Sequence, residues 1–330
     1  MSKTSKIRAT THEALLGKPE LTALELQSLS GIPVEQAAAL WQALGFPRVP
    51  IDDEIFCKSD VKALHSAARL FNDHQVEPEV LTQMARATGQ ALARVAHMHT
   101  LSVKDEIEAA VRSDELSENQ AADRVAELAE SLVRGHESFL TYIWRRHLLA
   151  AVSQTVASAS ANEGNQPLTV VGFADLVDFT AVSRKLTEEE LCTMVNRFEA
   201  IAYQEIPDRG GRIIKTLGDE VMFSSDDPRA ASETALALAE ACHRDAIVPD
   251  VRVGMAIGSA LSWEGDLYGD TVNLASRLVG VARPGTAIVS GELAALLGKE
   301  FEITALELRK VHLKGIGKTR PWVLRRTEVE

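Results

Sequence analysis

Cysteine is scarce in this sequence. Its 330 residues include only Cys57, Cys192 and Cys242, and no two of them form a CxxC pair. A disulfide framework or a cysteine-based zinc site needs more cysteines at closer spacing. We therefore expect three reduced thiols and a cytoplasmic protein.

Apolar runs long enough to cross a membrane are also missing. The first residues, MSKTSKIRATTHEALLG, lack the apolar core of a signal peptide. The best later candidate, FLTYIWRRHLLAAV, is shorter than a transmembrane helix and is interrupted by Arg145 and Arg146. We expect no membrane span.

The chain also lacks an excess of basic residues. The formal net charge is −12, and each half has more acidic than basic residues. Residues 22–45 have the outline of a helix-turn-helix, but the would-be recognition helix, 34–44, carries Glu35 and no Lys or Arg. Phosphate and base contacts need such basic side chains. We expect no nucleic-acid partner, and a helical hairpin within a bundle is the simpler interpretation.

The pattern of apolar residues changes along the chain and indicates two domains. Up to about residue 150, apolar residues recur at three-to-four spacing, which predicts helices. After Pro167, strands and helices alternate as strand–helix–strand–strand–helix–strand, the order of a ferredoxin-like α+β domain. We predict an all-α helical bundle at 1–150, a polar linker at 151–166 and an α+β domain at 167–330.

Acidic residues interrupt the first predicted strand of the second domain. VVGFADLVDFT is mostly apolar but contains Asp175 and Asp178, and Asp219 lies at the tip of a predicted hairpin that can reach the same end of the sheet. Neighbouring carboxylates repel each other unless a cation lies between them, and Mg²⁺ suits a few carboxylates plus substrate phosphates. The alternative is that Asp175 caps a turn and Asp219 serves only the hairpin. For Asp178, capping the next turn is the only role that we infer.

Four further polar residues stand out. Lys215 lies in an apolar strand, Asp266 in a predicted loop, and Asn273 and Arg277 on one face of a predicted helix. Each alone has an ordinary explanation, such as a lysine that extends to solvent or a surface ion pair. The chain has no GxxxxGK[ST] motif, so a P-loop nucleotide site is not expected.

Together, the stretches FADLVDFT, GGRIIKTLGDEVMF and GDLYGDTVNLASR resemble the class III adenylyl cyclase catalytic domain over about residues 168–326. The resemblance implies a role for each matching position. The implied roles are metal binding for Asp175 and Asp219, adenine recognition for Lys215 and Asp266, ribose orientation for Asn273, transition-state stabilisation for Arg277 and phosphate binding for Lys314.

The resemblance also implies a reaction. The 3′-hydroxyl of ATP attacks the α-phosphorus, pyrophosphate leaves, and two divalent ions, Mg or Mn, assist. Lys215 can donate to adenine N1 and Asp266 can accept from the adenine amino group; guanine presents the opposite polarity, so ATP is expected over GTP. In this family the site lies between two catalytic domains, with the metal aspartates on one and Asn273 and Arg277 on the other. A chain with one such domain is therefore expected to form a homodimer.

Two rival interpretations remain. LGDEV partly matches the diguanylate cyclase motif, but the second glycine and the Glu-Phe pair are missing, and that family has no VNLASR. A nucleotide-binding signalling adaptor, or a transcription regulator with a helix-turn-helix-like N-terminal domain, is the alternative of a different class. The presence of Asn273 and Arg277 favours an active enzyme over the adaptor.

The N-terminal half resembles the regulatory domain of soluble mycobacterial pH-responsive adenylyl cyclases, most clearly in LTALELQSLSGIPVEQAAALWQALGFPRVP. This implies an autoinhibitory helical domain that acts through the linker. Seven of nine histidines lie in this half, and histidine is the side chain that titrates near neutral pH. His147, which shares a helix face with Phe139 and Ile143, and His136 are the candidate regulatory residues. The alternative for each is an ordinary hydrogen-bonded or solvated histidine.

Overall fold

The computed structural model of the chain describes residues 2–74, 77–161, 168–263, 265–297 and 302–327. The chain divides into two compact units, Met1–Val156 and Ala157–Glu330. In the described part of the chain, no helix is both long enough and apolar enough to cross a membrane.

The first unit is helical, as predicted. Seven helices begin in its described part: α1 (Lys3–Leu16), α2 (Ala23–Ser30), α3 (Val34–Ala43), α4 (Lys58–His74), α5 (Pro78–Leu101), α6 (Lys104–Arg112) and α7 (Glu118–Ala161). One small apolar cluster joins α1 to α6 and α7 through Ile7, Ala110 and Val125. The start of α2 is a capping box, because Thr22 and Glu25 satisfy each other's backbone N–H groups.

Part of the predicted linker is helical. Residues 151–161 continue α7, whereas residues 162–166 lie outside the described residues. Alanines and serines fill this last stretch of α7, and small residues do not by themselves end a helix. The exact domain limits therefore stay a prediction.

The second unit is an α+β domain. Its described strands are β1 (Thr169–Leu176), β2 (Arg212–Leu217), β3 (Glu220–Ser225), β4 (Val251–Gly258), β5 (Leu261–Trp263), β6 (Asp266–Tyr268), β7 (Thr286–Val289), β8 (Ile303–Glu307), β9 (Val311–Leu313), β10 (Gly317–Thr319) and β11 (Trp322–Arg326). Its described helices are α8 (Phe179–Ser183), α9 (Glu188–Glu205), α10 (Pro228–Arg244), α11 (Asp270–Val279) and α12 (Gly291–Leu296).

The strand order confirms the ferredoxin-like prediction. The main sheet has the order β2-β3-β1-β4-β7-β11-β8. β1 pairs antiparallel with both β3 and β4, and β4 pairs parallel with β7. The chain order β1-α9-β2-β3-α10-β4 with sheet order β2-β3-β1-β4 is that of a ferredoxin-like fold.

The central strand β1 is buried on both faces, which explains its nearly continuous apolar sequence. Val170 and Ala174 belong to a core that includes α9 and α10, while Val171 and Phe173 belong to a core that includes α11. Gly254 on β4 lets α11 approach closely, since a Cβ atom there would lie 2.4 Å from the backbone nitrogen of Val279. These contacts fix α11 against the sheet.

Candidate active site

Asp175 and Asp219 meet at one end of the sheet. Asp175 is near the end of β1, and Asp219 follows Gly218 in the turn between β2 and β3, as predicted. Gly218 has a φ of 68°, a conformation that glycine adopts without strain. The Leu176 N–H donates to the Asp219 carbonyl at 3.0 Å, so the turn is tied directly to the end of β1.

The electrostatics of this end of the sheet are unfavourable to bare carboxylates. Burial raises the pKa of Asp175, and the nearby negative charge of Asp219 raises it further, while Arg252 opposes both effects. A carboxyl group whose charge is disfavoured in this way is a good ligand for a cation, because the cation would remove both the repulsion and part of the desolvation cost. Among the described residues, no three or more His, Cys, Asp or Glu side chains converge into a metal site of their own.

Glu220 is a third acid at this end that the sequence analysis did not assign. It pairs with Asp175 in the β1–β3 register. Burial, followed by the charges of Asp175 and Asp219, raises the pKa of Glu220 to about 7, with Lys215 opposing the shift. The sequence does contain a sign of this third acid. Glu220 directly follows Asp219 and precedes a run of apolar residues in a predicted strand.

Arg252 is the second residue that the sequence analysis did not assign. It stands opposite Asp175 in the β1–β4 register, and its Nη2 atom lies 3.9 Å from the Oδ1 atom of Asp178. Asp178 begins α8 with a φ of 54°, but its carboxylate accepts no capping hydrogen bond. The side chain of Asp178 therefore contacts Arg252 instead of capping the next turn.

Lys215 and Asp266 form an ion pair. The Nζ atom of Lys215, on β2, donates to the Oδ2 atom of Asp266, and both side chains are largely shielded from solvent, with 34% and 23% exposure. Asp266 is the first residue of β6, a short strand where we predicted a loop. Its other oxygen, Oδ1, accepts from the N–H of Leu267 at 2.8 Å, which fixes the carboxylate.

Asn273 and Arg277 lie one turn apart on α11, as predicted, and both are exposed. Within the described residues, neither side chain makes a hydrogen bond or an ion pair. The opposite face of α11 is buried, with Ala275 and Leu278 in two apolar clusters. The helix therefore presents an amide and a guanidinium to solvent from a rigid support.

The remaining predicted site residue of this unit is Lys314. It lies in the loop between β9 and β10, is exposed, and has no ion-pair partner among the described residues. The two candidate regulatory histidines lie on α7. The ring of His136 contacts the ring of His99 on α5, with centroids 4.0 Å apart and planes tilted by 36°, and its Nδ1 atom lies 2.8 Å from the Leu132 carbonyl oxygen. His147 is exposed and has no ring contact in the described residues.

Several of the known proteins that this chain resembles are described as nucleotide cyclases. Residues 162–326, half of the chain, match the profile described as "Adenylate and Guanylate cyclase catalytic domain". A protein of Glutamicibacter nicotianae named adenylate cyclase is 32% identical, over 93% of this chain and 79% of its own length. A Streptomyces coelicolor adenylate cyclase is 32% identical over 91% of this chain and 84% of its own length. The pH-sensitive adenylate cyclase MT1302 of Mycobacterium tuberculosis is 28% identical over 89% of this chain and 76% of its own length.

Solved structures of cyclase domains match about half of the chain. The guanylate cyclase domain of RhGC from Catenaria anguillulae, in complex with GTP, is 20% identical with a TM-score of 0.44, over 49% of this chain and 98% of its own. The adenylyl cyclase CyaB from P. aeruginosa is 23% identical with a TM-score of 0.40, over 49% of this chain and 97% of its own.

The sequence profile and the relatives that align along most of the chain confirm the resemblance to the class III cyclases, and with it the prediction of a nucleotidyl cyclase enzyme. Divalent metal ions are the cofactors of this class, which agrees with the cofactor prediction at the level of the family. The chain belongs to the family of adenylate and guanylate cyclase catalytic domains.

Proposed function

We propose that this protein converts ATP to 3′,5′-cyclic AMP and pyrophosphate, at a site shared by two copies of the chain. The observation that carries the proposal is the Lys215–Asp266 ion pair. It places a donor and an acceptor side by side on a shielded part of the sheet. That order of polarity fits the N1 atom and the amino group of adenine, and it mismatches guanine, whose N1 donates and whose O6 accepts.

The carboxylates Asp175 and Asp219 fit divalent ions. Burial, and then the nearby charge of Asp219, raise the pKa of Asp175, and a cation would offset both effects. Mg²⁺ is commonly held by one or two carboxylates together with substrate phosphates, so two acids suffice. When bound, the ions activate the attacking hydroxyl and neutralise the leaving group. The use of two ions, Mg or Mn, is part of this proposal.

Asn273 and Arg277 supply the groups that hold the ribose and neutralise the reacting phosphoryl. A planar guanidinium suits the charge that spreads over the phosphoryl oxygens in the transition state. Both side chains are exposed, and neither has a partner among the described residues. They are therefore free to act on a nucleotide held by the aspartates of a second copy, and two equivalent sites follow from the two-fold symmetry of such a homodimer.

An exposed apolar patch also supports a second copy. Leu261, Trp263 and Tyr268 lie on one face of the β5–β6 hairpin together with Asp266, and they are 62%, 46% and 47% exposed. Exposed aromatic and aliphatic side chains grouped beside a functional site are typical of a surface that a partner covers. Loss of this contact would separate the two halves of each site.

The N-terminal unit regulates the reaction in this proposal, with pH as the signal. The support is the resemblance to a pH-sensitive relative and the contact between the His99 and His136 rings on α5 and α7. Histidine is the side chain whose charge changes near neutral pH, so this contact between α5 and α7 is the switch that we propose. We expect the enzyme to act in the cytoplasm, where ATP is available, and we expect no nucleic-acid partner.

The test is an assay of the purified full-length protein with ATP or GTP and with Mg²⁺ or Mn²⁺, in which the cyclic nucleotides are separated and quantified. We expect cyclic AMP in clear excess over cyclic GMP. Asp175→Ala should abolish turnover, whereas the control Asp208→Ala, at an exposed acid in the turn after α9, should retain it. Near-normal turnover of Asp175→Ala at saturating Mn²⁺ and ATP would overturn the metal assignment.

A further inference from the structure

Asp178 has a backbone conformation that side chains other than glycine rarely adopt. Its φ is 54°, and in the described part of the chain it is the one residue other than glycine with a positive φ. The backbone is held on both sides of it. The Val177 N–H donates to the Asp250 carbonyl at 2.8 Å, and the N–H groups of Ala181 and Val182 donate to the carbonyl of Asp178. This turn therefore fixes where the carboxylate of Asp178 lies.

Stability does not explain an aspartate at this position. Glycine adopts a positive φ without strain, whereas a side chain there has an energetic cost, although a smaller one for Asp and Asn than for most residues. The Asp178 carboxylate accepts no capping hydrogen bond. Its ion pair with Arg252 is 3.9 Å long, and the Asp178 side chain is 75% exposed, so this pair contributes little to folding. Backbone strain without a gain in stability is typical of functional positions.

Arg252 lies between two carboxylates and pairs with the more exposed one. Asp175 stands directly opposite Arg252 in the register of β1 and β4, where oppositely charged side chains ordinarily stabilise each other. Arg252 is also close enough to lower the pKa of Asp175. Among the described residues, however, the Asp175 side chain forms no ion pair and no hydrogen bond, and the guanidinium pairs with Asp178 instead.

The guanidinium of Arg252 also has an unsatisfied donor. Its Nε atom is buried and has no hydrogen-bond partner within the described residues. A carboxylate that accepted from Nε and Nη2 together would satisfy this donor, because two-point pairs between Arg and a carboxylate are strong. Asp175 would be in position for such a pair if Arg252 turned away from Asp178. A guanidinium placed there would cover the oxygens of Asp175 and repel a divalent ion.

We propose that Asp178 is a positioning residue that draws the guanidinium of Arg252 away from Asp175 and so keeps the Asp175 carboxylate available for a divalent cation. The inference rests on the proposed function in one respect, because it takes Asp175 as a metal ligand. Asp178 does not touch the cation and acts through Arg252. This role accounts for an acid, in place of glycine, at a position with a positive φ.

The test measures metal binding without catalysis. The melting temperature of the full-length protein is recorded against the concentration of Mn²⁺ without nucleotide, because an ion that binds only the folded state raises it. Asp178→Asn tolerates the same φ but removes the charge. We expect the dissociation constant obtained from this rise to increase about fivefold, as one positive charge moves into contact with the site. The control Asp208→Asn, at an exposed acid after α9, should change it less than about twofold.

A double variant distinguishes this role from direct attraction between Asp178 and the cation. In a protein with Arg252→Gln there is no guanidinium to reposition, so the further change Asp178→Asn should alter the dissociation constant for Mn²⁺ less than about twofold. Direct attraction would give the same fivefold loss with Arg252 and with Gln at that position, and this result would overturn the inference.

A third variant separates metal binding from a structural role. Asp178→Gly removes the carboxylate and relieves the backbone strain, so in EDTA its melting temperature should be equal to that of the unchanged protein or higher. Its Mn²⁺ binding should nevertheless be weakened as much as in Asp178→Asn. A purely structural role of Asp178 would move both properties in the same direction.

The inference and the proposed function fail in different ways. Mn²⁺ binding that needs Asp175 but is unchanged in Asp178→Asn would overturn the role of Asp178 and retain the metal site. No stabilisation by Mn²⁺, or stabilisation that is undiminished in Asp175→Ala, would overturn the metal assignment and this inference with it. Weaker Mn²⁺ binding in Asp178→Asn, in a protein that makes no cyclic AMP, would retain the inference and overturn the proposed reaction.

Discussion

The Nζ atom of Lys215 donates a hydrogen bond to the Oδ2 atom of Asp266, although the two residues are 51 positions apart in the chain. The pair joins β2 to the β5–β6 hairpin, and Leu267 anchors the carboxylate through its backbone N–H. The lysine donor and the aspartate acceptor lie side by side, in the order that complements N1 and the amino group of adenine in the proposed function.

Exchanging the polarity of the pair should change the base preference. In Lys215→Glu with Asp266→Cys, the donor and the acceptor for adenine are both lost, so we expect the ratio of kcat/KM for ATP to that for GTP to fall at least about tenfold. The control Lys185→Glu makes the same charge change at an exposed lysine after α8 and should keep the ratio. Undiminished selectivity in the double variant would show that another part of the protein reads the base.

Glu220 should make the stability of the metal-free protein depend on pH. The pKa of Glu220 is raised from 4.5 to about 7 in the folded state, so between these values the folded protein binds a proton that the unfolded chain has released. The free energy of unfolding should therefore fall as pH rises through this window. In urea denaturation with EDTA, Glu220→Gln should be equal to the unchanged protein near pH 4 and about 1–2 kcal/mol more stable at pH 8.

The control for this prediction is Glu292→Gln, at an exposed carboxylate on α12. It should shift the stability equally at both pH values. The same pH dependence in the unchanged protein and in Glu220→Gln would contradict the assignment of the raised pKa to Glu220.

The apolar patch beside Asp266 should be needed for association. Trp263→Glu adds a charge to a surface that a second copy covers in the proposed dimer, so we expect a shift toward monomer in sedimentation and a loss of most cyclase activity. Leu296→Glu places the same charge at a similarly exposed leucine on α12 and should leave both unchanged. A Trp263→Glu protein that is still fully dimeric and active would remove the patch from the interface.

The contact between His99 and His136 should carry the pH response of the N-terminal unit. Full-length protein should be less active than a fragment of residues 157–330 at mildly alkaline pH, and the difference should narrow as pH falls. His136→Asn removes the ring contact with His99 and should flatten this pH dependence, while His147→Asn, at an exposed site, should not. Identical pH–rate profiles of full-length protein and fragment would exclude a pH switch in the N-terminal unit.

Local patterns predicted most of the fold. The alternation of strand and helix and the hairpin turn that contains Asp219 depend on residues close in sequence, and both are present. The residue at which α7 ends was harder to predict, because its last alanines and serines are compatible with both a helix and a linker. Asp266 was placed in a loop because a three-residue strand is too short to show periodicity.

The site could be predicted only in part, because spatial neighbours in a sheet are distant in sequence. The motifs supplied the positions of Asp175, Asp219, Lys215 and Asp266, but only the register shows Glu220 and Arg252 on either side of Asp175. Burial is the main cause of the raised pKa of Glu220, followed by the charge of Asp175, and the local sequence of Glu220 shows neither.

A site assembled from two chains can be tested by complementation between two inactive variants. Asp175→Ala and Arg277→Ala should each be inactive alone. When they are co-expressed, a mixed dimer has one site with both lesions and one with neither. Random pairing makes half of the dimers mixed, so about a quarter of all sites should recover if the sites act independently. Verified mixed dimers that produce no cyclic AMP would contradict the account, because Asp175 and Arg277 would then serve the same chain's site.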